Sequence, residues 1–206
     1  MATVLIPVYS QYGHTTTLAR AVAEGAEGTG GTEVRLRRIP EFTQLREMLA
    51  GNEGYEKAQA DLDAFGEVTH DDLRWADGIV WGSPTRYGAM SAQMKAFIDT
   101  TAPLWLKGEL EDKATGMFTS TGSIHGGQET TILTSLVPFI HLGMIFVGLK
   151  YSENPQLLTT EGEGGGPYGP ATIAGGDGSR QPIENELASA RSLGARVATV
   201  AAKLKG

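Results

Sequence analysis

Runs of strand length recur along the chain at Val4 to Tyr9, Glu33 to Arg37, Gly78 to Trp81, Ala114 to Thr119 and Met144 to Val147. Stretches of helical periodicity separate most of them. This alternation predicts an α/β fold with a parallel sheet covered on both faces. Pro7 is a misfit in the first run, because proline has no N–H to give a neighbouring strand. The first helix, about Thr15 to Glu27, places Leu18, Ala21, Val22, Gly25 and Ala26 on one face and ends at Gly28, Gly30 and Gly31. A short helix, Asp71 to Trp75, is entered through Thr69, with Asp72 completing a loose capping box. Met90 to Thr100 and Gln128 to Leu142 read as further helices, the second interrupted by Pro138. The last helix has Pro182 near its first turn, Glu184 and Glu186 following, Leu187, Leu193, Val197 and Leu204 at helical spacing, and Lys203 and Lys205 closing it.

Two stretches exceed what a minimal five-stranded domain needs. Residues 40 to 69 have helical composition, and residues 150 to 181 are rich in Gly and Pro. The second holds Gly-Glu-Gly-Gly-Gly at 162 to 166 and Ala-Gly-Gly-Asp-Gly-Ser at 174 to 179. No strand is evident leading into either cluster and the stretch contains no lysine beyond Lys150, so it reads as a long ordered loop and not as a second phosphate cradle. On composition alone, disorder is an equal alternative.

The bulk numbers narrow the classes. The 206 residues fit one domain, spanning 1–206. A formal net charge of -7, with no run of Lys and Arg, disfavours nucleic acid as a partner. With no cysteine, thiolate metal sites and cysteine nucleophiles are excluded, and redox chemistry must belong to a cofactor. The histidines are widely spaced and form no H-E-x-x-H, so no metal site is expected. The N-terminal apolar run is too short for a membrane span and lacks a basic leader, which leads to the expectation of a cytoplasmic protein without membrane insertion.

The chemistry starts where the first strand meets the first helix. Ser10, Gln11, Tyr12, Gly13, His14 and Thr15 form a hydroxyl-rich turn, and a helix start there offers unpaired amides and a partial positive charge to a phosphate. The same residues would serve equally as an ordinary capped helix. The absence of G-x-x-x-x-G-K-[ST] argues for a smaller phosphate ester over a magnesium nucleoside triphosphate. In an open parallel sheet, ligands bind beyond the carboxyl ends of the strands where strand order reverses. The loops after the third and fourth strands should therefore meet the first. One is Pro84, Thr85, Arg86, Tyr87 and Gly88, with donors and a flat ring. The other is Ser120, Thr121, Gly122, Ser123, then Ile124 and His125, then Gly126 and Gly127, small enough for backbone to approach a ring. A phosphate pocket, donors and an aromatic face suit a planar heterocycle on a phosphorylated chain, and flavin mononucleotide (FMN) fits.

The phosphate loop, Pro-Thr-Arg-Tyr-Gly, Ser-Thr-Gly followed by Gly-Gly-Gln-Glu, and Tyr168-Gly169 followed by Ala174-Gly175-Gly176-Asp177-Gly178-Ser179-Arg180-Gln181-Pro182 resemble the tryptophan-repressor-binding-protein family, often called WrbA. These are flavodoxin-like NAD(P)H:quinone oxidoreductases, and the match covers essentially the whole chain. It implies a doubly wound five-stranded parallel sheet in the order 2-1-3-4-5, bound FMN, NADH or NADPH as donor, quinones as acceptors, and a homotetramer with active sites near subunit boundaries. By the same resemblance the FMN phosphate loop falls on Ser10 to Thr15, the flavin-ring segment on Pro84 to Gly88 and the second glycine-rich loop on Ser120 to Gly127, with one extra residue around Ile124 and His125. Tyr12 corresponds to a nicotinamide-cofactor contact, Trp105 to a substrate-side aromatic and His141 to a histidine facing the flavin. His141 would donate to the flavin pyrimidine oxygen and steady the charge of two-electron reduction. Where the family often has a second histidine, this chain has Leu142.

Rival readings are a one-electron carrier of the flavodoxin type, which the acidic charge suits, and a non-enzymatic FMN-binding interaction protein. The two extra stretches exceed a minimal carrier. No dinucleotide-binding G-x-G-x-x-G follows a strand, so NADH and NADPH are not distinguished.

Overall fold

The computed structural model describes all 206 residues. Five parallel strands, β1 (Thr3–Val8), β2 (Glu33–Arg38), β3 (Gly78–Pro84), β4 (Ala114–Thr121) and β5 (Ile145–Phe146), lie in the order β2-β1-β3-β4-β5. This is the flavodoxin order that the family resemblance implies. The reversal between β1 and β3 opens a crevice at their carboxyl ends.

Helices α1 (His14–Glu27) and α8 (Glu184–Lys205) cover one face of the sheet. The other face carries α4 (His70–Trp75), α5 (Ala92–Asp99), α6 (Ala102–Trp105) and α7 (Gln128–His141). Strand alternation explains the division. Val4, Ile6, Val8, Val80 and Phe118 pack with Leu18, Val22, Leu193 and Val197, whereas Leu5, Ile79, Trp81 and Met117 pack with Leu73, Met94, Ile132 and Phe139. On the second face Trp81 stacks on Phe139 at 5.1 Å between ring centroids, and its indole N–H donates to Thr115 Oγ1 at 3.1 Å.

Pro7 is tolerated at a small local cost. The amides of odd-numbered β1 residues face β3, as Tyr9 N donating to Gly82 O at 2.9 Å shows. The β1–β3 ladder pairs Val4 with Gly78, Leu5 with Ile79 and Val8 with Gly82 but skips Ile6 and Pro7, while β1 stays paired with β2 along its whole length. One missing donor thus opens two adjacent pairs. Pro138 likewise does not interrupt α7, contrary to the sequence expectation. The carbonyl it frees belongs to Thr134, which is exposed and can bond water. Thr69 accepts from Asp72 N and receives its side chain in return, a full capping box.

The first extra stretch contains α2 (Thr43–Met48) and α3 (Glu53–Asp63). The second corrects the sequence reading. It holds two 3₁₀ turns and a sixth strand, β6 (Ala171–Ile173), which pairs parallel to β4 at Thr119 to Thr121. β5 pairs only with Ala114 and Thr115, so the carboxyl half of β4 would otherwise be an open edge. Three residues are too few to show a strand period, and β6 leads directly into the Ala174–Ser179 cluster. No helix is long and apolar enough to cross a membrane.

Candidate functional site

A cavity of about 630 Å³ lies at the carboxyl ends of β1, β3 and β4. The loop after β1 is held open for a ligand by its own backbone. Gly13 adopts φ 94°, a left-handed conformation that glycine tolerates best, and starts α1 without a side-chain cap on the helix. Its amide donates to Ser10 Oγ at 3.1 Å. The amides of His14, Thr15 and Thr16 donate to no protein acceptor, and the first turn of α1 contains no acidic residue. His14, which lines the cavity, has its Nε2 buried without a partner. Buried polar atoms are normally satisfied, so this cluster fits a phosphate that supplies the missing acceptors. From α3, Gln59 Nε2 donates to Ser10 O at 2.9 Å and fixes the turn from behind.

The loop after β3 is locked to α7 by a relay of hydroxyls. Gly88 N donates to Thr85 Oγ1 at 3.1 Å, Thr85 and Thr131 hydroxyls meet at 2.7 Å, and Thr131 Oγ1 reaches Gly127 O at 2.7 Å. Tyr87 and Gly88 both have positive φ, 54° and 81°, giving the mirror-image turn of a tight hairpin between Arg86 and Ala89. Arg86 bonds to Gln11 and ties this loop to the first. The loop after β4 joins them through Thr85 N to Ser120 O at 2.9 Å and Thr15 Oγ1 to Ser120 Oγ at 3.1 Å. Beneath the cavity, Tyr9 donates to Glu41 at 2.7 Å. Burial, and then the carboxylate, push its phenol far above the ordinary range, so it stays protonated.

The cavity brings together Ser10, Gln11, Tyr12, His14, Thr15, Pro84, Thr85, Arg86, Ser120, Thr121 and Gly122. Gly13, Gly88 and Gly127 shape its loops from behind, and Ser123 and Gly126 lie off the lining. Tyr87 is fully exposed and does not wall the cavity, because its turn carries the ring outward. Trp105 and His141 lie in a different depression, of about 370 Å³, between α5, α6 and the end of α7. α7 starts beside the cavity and has 14 residues, so at about 1.5 Å per residue His141 is roughly 20 Å away from that end. One chain therefore cannot present His141 to its own cavity.

Asn52, Gly54 and the segment Ala174 to Gly178 also line the cavity, and sequence reasoning did not assign them. Asn52 caps α3, accepting from Tyr55 N at 3.0 Å, so a second helix N-terminus faces the site. Its signal was an ordinary Asn-x-x cap, which marks a helix start without saying where that helix points.

The model of the NADPH-dependent FMN reductase family matches residues 4–154. A protein of Geobacter metallireducens named "NAD(P)H dehydrogenase (quinone)" is 49% identical over 205 residues, covering 98% of this chain and 99% of the relative. One of Solidesulfovibrio magneticus with the same name is 47% identical, covering 98% of each. A crystal structure of a flavodoxin, WrbA-like protein from Agrobacterium tumefaciens aligns with a TM-score of 0.67 at 27% identity, covering 98% of this chain and 99% of the other. The chain belongs to the WrbA family. The partnerless donors and glycine walls of the cavity suit a phosphate and a flat ring.

Proposed function

We propose that this chain works as an FMN-dependent NAD(P)H:quinone oxidoreductase, a cytoplasmic homotetramer whose active sites are completed across subunit boundaries. The carrying observation is the cluster of unsatisfied donors at the start of α1, opening on the cavity where three strand-end loops meet. FMN supplies the two-electron chemistry when bound; the protein binds, orients and excludes water. Ser10, the α1 amides and His14 hold the phosphate. Pro84 to Arg86 and Ser120 to Gly122 border the ring, and Arg86 keeps the first two loops in register. Tyr12, half-exposed at the cavity mouth, offers a face to the nicotinamide.

His141 and Trp105 act on the cavity of a neighbouring subunit. Around them Leu106, Val137 and Ile140 are 76%, 57% and 67% exposed, an apolar patch of the kind that subunit contact covers. In that contact His141 donates a hydrogen bond toward the flavin pyrimidine edge, and Trp105 walls the quinone side. The test is steady-state kinetics of FMN-loaded protein with NADH or NADPH and benzoquinone. Turnover well above that of free FMN is expected, and rates no better than free FMN refute the reading.

A further inference from the structure

Glu186 lies in the first turn of α8 and is completely buried, where a carboxylate is tolerated only if donors surround it. Its Oε1 accepts from Gly164 N at 3.0 Å, Ile173 N at 3.4 Å and Arg180 Nη2 at 3.0 Å. Its Oε2 accepts from Thr172 Oγ1 at 2.7 Å, Arg180 Nη1 at 3.1 Å and Ile183 N at 3.0 Å. Arg180 Nη1 also donates to Ile173 O at 2.6 Å. Apart from Gly164, which precedes β6, these partners are the end of β6 and the far end of the loop that follows it. Between them the chain bulges out, and Gly175, Gly176, Asp177 and Gly178 line the FMN cavity. β6 is parallel to β4, so its loop leaves the sheet at the same edge as the three loops already described. The amides of Gly175 and Gly176 donate to no protein acceptor. A Cβ on Gly176 would meet no protein atom within 4 Å.

We propose that Ala174 to Gly178 is a fourth wall of the FMN site, built from backbone, and that Glu186 is the positioning residue that holds it through Arg180. The proposal rests on the FMN reading of the cavity. A carboxylate is required because every partner is a donor; a glutamine of the same shape would turn its own N–H₂ toward N–H groups. Glycine is required at 176 because a side chain there enters space the protein leaves to the ligand.

The test titrates FMN into apoprotein by flavin fluorescence, with the apoprotein melting temperature by circular dichroism and tryptic cleavage after Arg180 as independent readouts. Gly176→Val should melt with wild type yet bind FMN about tenfold more weakly or worse. Glu186→Gln should remain folded, be cut faster after Arg180, bind FMN about tenfold more weakly and shift the visible band of the bound flavin. Glu184→Gln, an exposed neighbour, should change none of these. Gly176→Val binding FMN as wild type does would overturn the fourth wall. Faster cleavage of Glu186→Gln with unchanged FMN affinity would overturn the positioning role. If Glu186→Gln does not fold, Arg180→Lys takes its place under the same two criteria. Wild type that fails to bind FMN would instead overturn the cavity's reading as a flavin site.

Discussion

A subunit-mixing experiment tests the proposal that His141 serves the cavity of a neighbouring chain. His141→Ala leaves the cavity intact and removes a donor which, aimed at developing charge in a dry site, contributes roughly 3 kcal/mol, or about 100-fold in rate. Thr15→Asp does the reverse. Thr15 lines the cavity beside the phosphate loop, and a carboxylate roughly 4 Å from a phosphate costs about 4 kcal/mol per charge pair at an effective dielectric of about 20. FMN affinity should fall by about 1,000-fold or more. The fold should survive although Thr15 is buried, because the partnerless amides of the first turn of α1 and the helix dipole accommodate a carboxylate there. Each homo-oligomer alone should be nearly inactive. When the two are co-expressed with different tags and purified through both, a random half of the chains has a working cavity. About half of those cavities should face a chain that still carries His141, which restores about a quarter of wild-type activity. If His141 served its own chain's flavin, every working cavity would belong to a chain without that histidine, and activity would stay near one-hundredth of wild type. That second result would refute the shared-site reading.

Three further substitutions test the frame of the site. Asp77 Oδ2 accepts from Thr3 N, Thr3 Oγ1 and Lys205 Nζ at 2.9, 2.8 and 2.8 Å, joining the start of β1 to the end of α8. Burial pushes its pKa up, but the bonds from Lys205 and Thr3 together hold it below the ordinary value. A depressed folded-state pKa stabilises above the unfolded value, about 3.9, and that stability is lost as the pH falls through the folded one. Asp77→Asn should therefore lower the melting temperature by a few degrees at neutral pH, for a loss of about 1–2 kcal/mol. The gap should narrow below about pH 4, and a gap constant down to about pH 3 would contradict the assignment. Gly25→Ala gains about 1 kcal/mol of helix propensity but puts Cβ 1.9 Å from Arg191 O across the α1–α8 crossing. A net loss of about 2 kcal/mol or more is expected in urea titrations, since the clash is with backbone. Thr131→Val breaks the hydroxyl relay to the Tyr87–Gly88 turn; about 1 kcal/mol of stability and about five-fold in FMN affinity should go together. Unchanged FMN affinity in that variant would mean the turn does not depend on α7.

Much of this was legible because the controlling interactions are local. Thr69 and Asp72 cap α4 across three residues, and the capping box could be read from the letters alone. The parallel sheet followed from the alternation of elements, and its strand order from a family resemblance. The three ligand loops could be placed because a parallel sheet sends every strand's carboxyl end to one edge. Pro7 was legible as a misfit, but its cost depended on which neighbour its missing amide faced. That is a matter of register, and the register left β2 fully paired.

What stayed hidden depended on long-range partners. Ala171 to Ile173 has no strand signature of its own; it becomes β6 because β5 stops after two residues and leaves the carboxyl half of β4 unpaired. Once it pairs there, the glycine cluster after it inherits the position of a strand-end loop, which makes it cavity lining instead of the plain ordered loop its composition suggested. Glu186 reads in sequence as an acidic residue in a helix's first turn, normally a minor and solvated contribution. Its burial follows only from that pairing, because β6 and Arg180 enclose it. His141 shows the opposite limit. The family motif supplies the residue, yet roughly 20 Å of α7 separates it from its own cavity, and a sequence carries no mark of which copy of the chain a side chain serves. On the shared-site proposal both cases have one physical origin: a site assembled at the edge of a sheet is completed by whatever reaches that edge, whether a late strand of the same chain or a helix end from the next.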